Sequence, residues 1–478
     1  MITTKNIVKG SAAILLNKVL ANDGLRHLAV QFAEKESYKS SMEDAYPPPL
    51  KRAEFIGKRN LIYSIDKALG KGMISPNVRK RILKSLVGRV MMPDSNAKAT
   101  FFEKYGIQPP GFVTISPTSQ CNLFCEGCYA NSSTREKAHL DYGVFSRILK
   151  EKEKFWGSYF TVISGGEPLM WRSAGKGLFD LLREFQDHYF MMYTNGTLIG
   201  KNTAEEIAEI GNLTPAISVE GFEEETDARR GKGTFQKIMD AFENLRRVGV
   251  PFGVSLTVTR HNAETLLSDK FVDFMFEQQG AIYGWFFHYM PIGRQFTLDL
   301  LITPEQRLEV YKRQLHFMED KKLFFVDFWN GGPMAHGCLS AGRRGGYFYI
   351  NWNGDVTPCV FFPYSTHNIY KVFESGGDIN TVLLSGLFQD IRQWQKDYGF
   401  SEDPSKVNGT IGNWLRPCPI RDHYRVAYDL IQKHKAEPID PPAEEALEDE
   451  TYRSLLEEYG RRVGELTQEE WERKYLQS

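Results

Sequence analysis

At 478 residues, the chain has room for two to four domains, and 59 Lys+Arg against 60 Asp+Glu leave a formal net charge of −1. That balance says little about partners and gives nucleic acid no support, and no apolar run reaches the ~18 residues of a membrane span. Six cysteines in a chain of this length do not make a disulfide scaffold, so clustered cysteines point to metal binding or catalysis in a reducing, cytoplasmic setting.

Residues 1–45 read as amphipathic helix, with Ile7, Val8, Ile14, Leu15, Val19 and Leu20 set among Lys and Asn. The run from Ala12 to Leu16 is too short for a secretory h-region of about 7–15 residues. Tyr46-Pro47-Pro48-Pro49 reads as a stiff extended linker. Ser75-Pro76 opens a second helix, an N-cap followed by proline at the first helical position. Its apolar residues Val78, Ile82, Leu83, Leu86, Val87 and Val90 share one face. Arg79, Lys80, Arg81, Lys84 and Arg89 form either a solvated basic face or an attraction to an anionic lipid surface.

From about residue 108, short apolar strands alternate with amphipathic helices. The strands are expected at 112–116, 159–164, 189–195, 214–220, 252–258 and 284–290. Helices are expected between them, at 142–155, 177–188, 203–210, 234–248 and 263–278. Six β/α units in series predict an α/β fold with parallel strands, a partial (β/α)6 TIM-type barrel whose functional residues lie at the C-terminal strand ends. The expected division is a basic helical N-terminal region (1–107), the barrel (108–300), a small α+β extension (301–436) and a charged helical tail (437–478). The extension should hold a helix from Thr303-Pro304-Glu305 to about Lys321, a strand at 324–328 and a hairpin turning at Asn353-Gly354, then a helix from Gly386 to Tyr398. The tail either packs on the core or stays mobile.

Directly after the first strand comes Cys121-Asn-Leu-Phe-Cys125-Glu-Gly-Cys128, followed by Tyr129. Three soft ligands in one loop suit an iron–sulfur cluster. A structural zinc site would want a fourth ligand, and the loop offers none nearby. After the second strand stands Gly165-Gly166-Glu167-Pro168, where two residues without Cβ let the backbone approach a ligand closely.

CxxxCxxC after strand one, the glycine motif after strand two and the six β/α units together make residues 108–300 resemble the radical SAM enzymes. The resemblance implies that Cys121, Cys125 and Cys128 hold a 4Fe–4S cluster whose open iron takes S-adenosylmethionine. It implies reductive cleavage to methionine and a 5′-deoxyadenosyl radical, which abstracts hydrogen from a substrate, and an electron donor such as flavodoxin or ferredoxin. It assigns Gly165, Gly166, Glu167 and Pro168 to the methionyl amine. Asn195, Ser218 and Glu220, at the ends of strands three and four, fall where polar groups touch the cosubstrate. Ser255 and Thr257 are weaker candidates, and Arg229-Arg230 reads as a surface salt bridge. One departure stands out: the family often carries an aromatic residue before the third cysteine, and this chain has Gly127.

Cys338, Cys359 and Cys418 lie beyond the barrel. Gly337-Cys338 with Asn353-Gly354-Asp355-Val356-Thr357-Pro358-Cys359 resembles the start of a SPASM or twitch extension, which implies one auxiliary 4Fe–4S cluster. Cys418 is the expected third ligand; Asp422, His423 or His336 can complete the set, or the fourth iron stays open to substrate, and the bland alternative is three buried inert thiols. His288 reads as a satisfied core residue.

Such extensions accompany peptide and protein substrates. The competing readings are radical modification of a lipid, with peripheral membrane contact through the basic N-terminal region, and a non-catalytic metal-binding protein.

Overall fold

The computed structural model describes residues 22–91, 95–407 and 409–477. The apolar positions between Ile7 and Leu20 lie outside them. Helix α1 (Asp23–Met42) is capped by the Asn22 side chain. The proline triplet is not a linker: Pro48 is the first residue of helix α2 (Pro48–Gly70), with Pro47 at its N-cap. The first helical turn needs no N–H from its residues, and a fixed φ suits it, so proline starts a helix it would break elsewhere. Helix α3 (Pro76–Ile82) starts at the Ser75 cap and runs on as a π-helix over Leu83–Met91. Its basic face docks on the barrel: Arg81 donates to Gln186 at 2.5 Å, and Lys84 and Arg89 pair with Asp187 at 2.6 and 3.0 Å.

The barrel strands fall within a residue or two of their expected bounds: β1 (Phe112–Ile115), β2 (Phe160–Ile163), β3 (Tyr189–Thr194), β4 (Leu213–Val219), β5 (Gly253–Val258) and β6 (Gly284–His288). Each pairs in parallel with the next. Most crossover helices match as well, for example Tyr142–Trp156 and Thr234–Val248, each ended by a left-handed glycine. The last expected helix is broken into short segments at 263–266 and 269–278 by Ser268, which caps the second. The sheet's outer face buries Ile115, Ile163, Phe190, Ile217 and Val254 under the helices. Inside, Val162, Met191, Ala216 and Tyr283 fill the lumen.

The extension is not a separate layer. Strand β7 (Phe325–Asp327) joins β6 in parallel, and β8 (Tyr349–Ile350) joins the opposite edge, parallel to β1. The expected hairpin follows as β9 (Asp355–Thr357), and β10 (His367–Asn368) extends it. Among the described residues the order is β10-β9-β8-β1-β2-β3-β4-β5-β6-β7, with eight parallel strands and no pairing between β7 and β8. The tail packs on the core: helix α4 (Glu450–Trp471) buries Tyr452, Leu456, Val463 and Trp471. Among the described residues, no helix is long and apolar enough to cross a membrane.

Candidate active site

The cysteine loop leaves β1 and is bound into its surroundings by backbone. Cys121 N–H donates to Ser133 O at 3.0 Å, and Glu126 N–H to Arg229 O at 3.1 Å. The glycine motif crosses directly over the start of the loop: Gly166 N–H meets Thr118 O at 2.9 Å, and Glu167 N–H meets Gln120 O at 2.8 Å. A Cβ on Gly166 would stand 2.2 Å from Gln120 O. The absence of side chains is thus demanded by this chain crossing, before any ligand is considered. Tyr129 ties the two loops together, its hydroxyl accepting from Gly165 N–H at 3.2 Å. That contact gives the aromatic after Cys128 an inward role.

Gly127 takes φ +60°, and a Cβ there would lie 2.6 Å from Tyr289 Cε2 and 2.8 Å from Leu300 Cδ1. Tyr289, just past β6, occupies the space an aromatic at 127 would need. The segment after it clasps the loop: Arg294 donates to Cys125 O at 2.7 Å and to Ser132 O, and its guanidinium lies 3.5 Å from the Phe124 ring centre. No local sequence signal marks Arg294 or Tyr289, since both act on a loop about 165 residues earlier.

Asn195 reaches both sides of the site. Its Nδ2 donates to Asn122 Oδ1 at 2.8 Å and lies 3.7 Å from Cys121 Sγ. The Glu167 side chain is engaged within the protein. Its buried carboxylate accepts from Thr194 Oγ1 and from the N–H groups of Asn195 and Leu169. It stitches β2 to β3, and burial pushes its pKa up to about 7 against those donors. Pro168 fixes the short turn that follows. Ser218 stands half-buried on β4, in register with Ser255 of β5, and Thr257 lies farther along β5, in register with Phe287.

Arg229 and Arg230 are not at the surface. They pair with the fully buried Glu220, Arg229 Nη1 at 2.7 Å and Arg230 Nε at 2.8 Å, with side chains only 12% and 10% exposed. Arg230 Nη1 also stands 4.0 Å from Cys125 Sγ. Burial works against the Arg230 charge, but Glu220 and Cys125 hold its pKa above the usual value. Burial likewise raises the Cys121 thiol to about 12 and pushes Cys125 up, with Arg230 opposing. Glu220 Oε2 is buried with no partner. The pair was hidden in sequence because Glu223, Glu224 and Glu225 make the same helix look like a solvated surface.

The residues fit a cluster better than a single ion. A tetrahedral zinc with bonds of about 2.3 Å sets sulfurs roughly 3.8 Å apart. Among the described residues, only Asp44, Glu54 and His336 bring their ligand atoms within 4.8 Å of one another, and neither cysteine trio is that tight. All six cysteines are free.

Cys338, Cys359 and Cys418 converge on a second site. They line a cavity of about 330 Å³ together with Trp285, Val326, Phe328 and Tyr347. Burial raises Cys359 to about 12, with Cys338 adding to the effect, and pushes Cys418 well up. Of the three expected completing ligands, Asp422 and His423 are engaged elsewhere and His336 is turned away. Asp422 is locked in a buried pair with Arg307 and accepts Cys418 N–H at 3.1 Å. His423 Nε2 is bonded to Arg416 O at 3.0 Å. His336 turns towards Glu54 instead, its Nε2 3.9 Å from Oε2. His288 is half-satisfied: its Nε2 meets Asp327 at 2.9 Å while its buried Nδ1 has no hydrogen-bond partner, and burial takes its pKa down to about 4.

A family model described as the radical SAM superfamily matches residues 115–269, which hold the cysteine loop, the glycine motif and Glu220. The mycofactocin maturase MftC of Mycolicibacterium smegmatis is 30% identical over 310 residues, covering 62% of this chain and 75% of that protein. An AdoMet-dependent heme synthase of Methanosarcina barkeri is 24% identical over 288 residues, covering 54% and 79%. Among solved structures, Streptococcus suis SuiB bound to its precursor peptide SuiA superposes with a TM-score of 0.50 at 18% identity, covering 66% of this chain and 72% of that one. The fold is therefore shared, and a relative at this identity across three quarters of its length fixes the family. The chain belongs to the radical SAM superfamily and is a radical SAM enzyme, with a SAM-binding 4Fe–4S cluster and S-adenosylmethionine as its cofactors.

Proposed function

We propose that the enzyme modifies a peptide, with Cys121, Cys125 and Cys128 holding the SAM-binding cluster and Cys338, Cys359 and Cys418 an auxiliary one. The cluster and S-adenosylmethionine, when bound, supply reductive cleavage of the sulfonium and a 5′-deoxyadenosyl radical. The chain's own residues prepare the place. Tyr129 and the crossing at Gly166 hold the glycine motif against the cysteine loop. Asn195 steadies Cys121, and Arg230 sets a cation beside Cys125. Arg229 has Nε and Nη1 without hydrogen-bond partners, although Nη1 is paired in charge with Glu220, so donors are left for a cosubstrate carboxylate. The Glu220 oxygen without a partner suits a ribose hydroxyl. Ser218 joins it on the same strand end.

The observation that carries the auxiliary site is the cavity into which three thiols from distant stretches converge. The peptide reading draws on the mycofactocin maturase relatives and on SuiB bound to a precursor peptide. The heme synthase relatives supply the specific alternative, a tetrapyrrole. The lipid reading loses support, because Arg81, Lys84 and Arg89 are engaged with Gln186 and Asp187.

Anaerobic reconstitution with iron and sulfide, followed by dithionite and S-adenosylmethionine, is expected to yield 5′-deoxyadenosine. Cys125→Ala should abolish it. A short peptide encoded beside the gene should raise the yield and emerge with a changed mass. Stimulation by a porphyrin and not by the peptide would overturn the substrate assignment.

A further inference from the structure

A third cluster of ligating groups lies outside both cysteine sites. Ligand atoms of Asp44, Glu54 and His336 all lie within 4.8 Å of one another. They come from three separate stretches: the turn after α1, helix α2, and the residue that closes a short helical turn at Gly332–Ala335. Two of the atoms are buried without hydrogen-bond partners, His336 Nε2 and Glu54 Oε2. They face each other at 3.9 Å, beyond hydrogen-bond reach. The His336 side chain is only 8% exposed.

Such a pair needs an explanation, since buried polar atoms are rarely left unmatched. The other Glu54 oxygen is already taken by Lys58 at 2.7 Å, which leaves Oε2 for something else. The imidazole cannot easily turn away. Tyr46 lies against it with ring centres 4.3 Å apart, and Trp414 stands at 5.9 Å. Tyr46 is itself pinned through its hydroxyl to Ser401 N–H at 2.8 Å. Ligand bonds of about 2.0–2.2 Å would set neighbouring donors roughly 3.4 Å apart, a contraction of about 0.5 Å for the His336–Glu54 pair and of at most about 1.4 Å for the distances to Asp44. One imidazole and two carboxylates suit a borderline divalent ion such as Zn(II), Mn(II) or Fe(II), and not a soft one. Three protein ligands leave a further position for water.

We propose that Asp44, Glu54 and His336 form a mononuclear divalent-cation site that fastens the N-terminal helices to the segment leading into Cys338. Glu54 and Cys338 both line the three-cysteine cavity, so the ion braces one wall of it. The site does not depend on what that cavity holds or on the substrate.

The test uses the full chain, cluster-loaded and then washed with a chelator. Mn(II) is the probe, because thiolates bind it weakly and cannot mimic the result. Loss of the free Mn(II) electron paramagnetic signal should report one tight ion per chain, displaced by Zn(II). Pulsed spectra of the bound ion should carry coupling to a single imidazole nitrogen. His336→Gln should remove that coupling, and Asp44→Asn should weaken binding at least about tenfold. Asp44 is only partly buried, so its variant carries the test if His336→Gln misfolds. No bound Mn(II) in the wild type, unchanged affinity in Asp44→Asn, or bound Mn(II) without nitrogen coupling would each overturn the proposal.

Discussion

Gly127→Ala isolates the reason this cysteine loop departs from its family's habit. The substitution meets two penalties that can be separated. The first is backbone: at φ +60° an L residue pays about 1 kcal/mol relative to glycine. The second is steric, because the new methyl would lie 2.6 Å from Tyr289 Cε2 and 2.8 Å from Leu300 Cδ1. Tyr289 is 1% exposed and its hydroxyl donates to Gln295 O at 3.0 Å, so the ring cannot swing clear. Overpacking of this kind costs about 1–3 kcal/mol. The expected total is roughly 2–4 kcal/mol, read by urea unfolding of the cluster-free chain through tryptophan fluorescence. Repeating the substitution in a Tyr289→Ala background should recover about 1 kcal/mol, leaving the backbone term and the Leu300 contact. A cost below about 0.5 kcal/mol, or an equal cost in both backgrounds, would refute the claim that Tyr289 excludes a side chain at 127.

Three further outcomes are expected. Glu220→Gln leaves Arg229 and Arg230 buried without a counter-charge and should cost about 3 kcal/mol in the same assay; a loss under about 0.5 kcal/mol would show the pair to be dispensable. Cys359→Ser should lower iron after reconstitution from about eight to about four per chain, with 5′-deoxyadenosine formation retained; an unchanged iron count would remove the auxiliary cluster. Lys152 is buried, donates to Ser158 O at 2.9 Å and Phe160 O at 2.8 Å, and is held by burial at a pKa of about 7. The unfolded chain keeps that proton to about pH 10, so between these values the unfolded state binds more protons and stability rises with pH. Lys152→Met should flatten that rise, and an unchanged slope would contradict the assignment.

The barrel was legible in the sequence because its strands are short apolar runs bounded by helices that end in glycine. Periodicity and punctuation there agree. The cysteine and glycine loops were legible because they follow strands directly. What escaped were contacts that no local pattern encodes. Glu220 and its arginines lie ten residues apart, but their neighbours Glu223 to Glu225 disguise a buried pair as a solvated helix. Gly165 and Gly166 were readable as glycines with a purpose, but the crossing over Gln120 that demands them appears only in three dimensions. The proline triplet reads as extended because three prolines in a row favour that conformation, whereas the residues after them form a helix whose first turn tolerates proline. Asp422 and His423 looked like ligands by proximity in sequence to Cys418, and Arg307 and Arg416 claim them instead.

The expected boundary at residue 300 is where sequence and sheet diverge most, and it can be tested directly. Residues 301–357 supply β7 to one edge of the barrel and β8 to the other, with Thr114 in register with Tyr349 and Ile115 with Ile350. The extension also covers the first crossover helix: Trp156 is 0% exposed, donates to Asn380 Oδ1 at 2.8 Å and lies 5.8 Å from the Phe348 ring. Glu151 accepts Ile379 N–H at 2.9 Å on the same face. Uncovering Trp156 alone forfeits about 4 kcal/mol of burial, and the bared β1 and β6 edges are then open to pairing with other chains. A fragment of residues 108–300 should therefore be insoluble or fail to hold iron, although it carries the whole cysteine loop. A soluble fragment that binds about four irons would restore the barrel as an independent domain. If it fails as expected, the two cysteine sites belong to one folding unit. The three-cysteine cavity, lined by Val326 and Phe328 on one side and Tyr347 on the other, then lies in the seam where β7 and β8 do not meet. An open barrel whose gap is filled by the three-cysteine cavity couples the two sets of thiols through a single sheet.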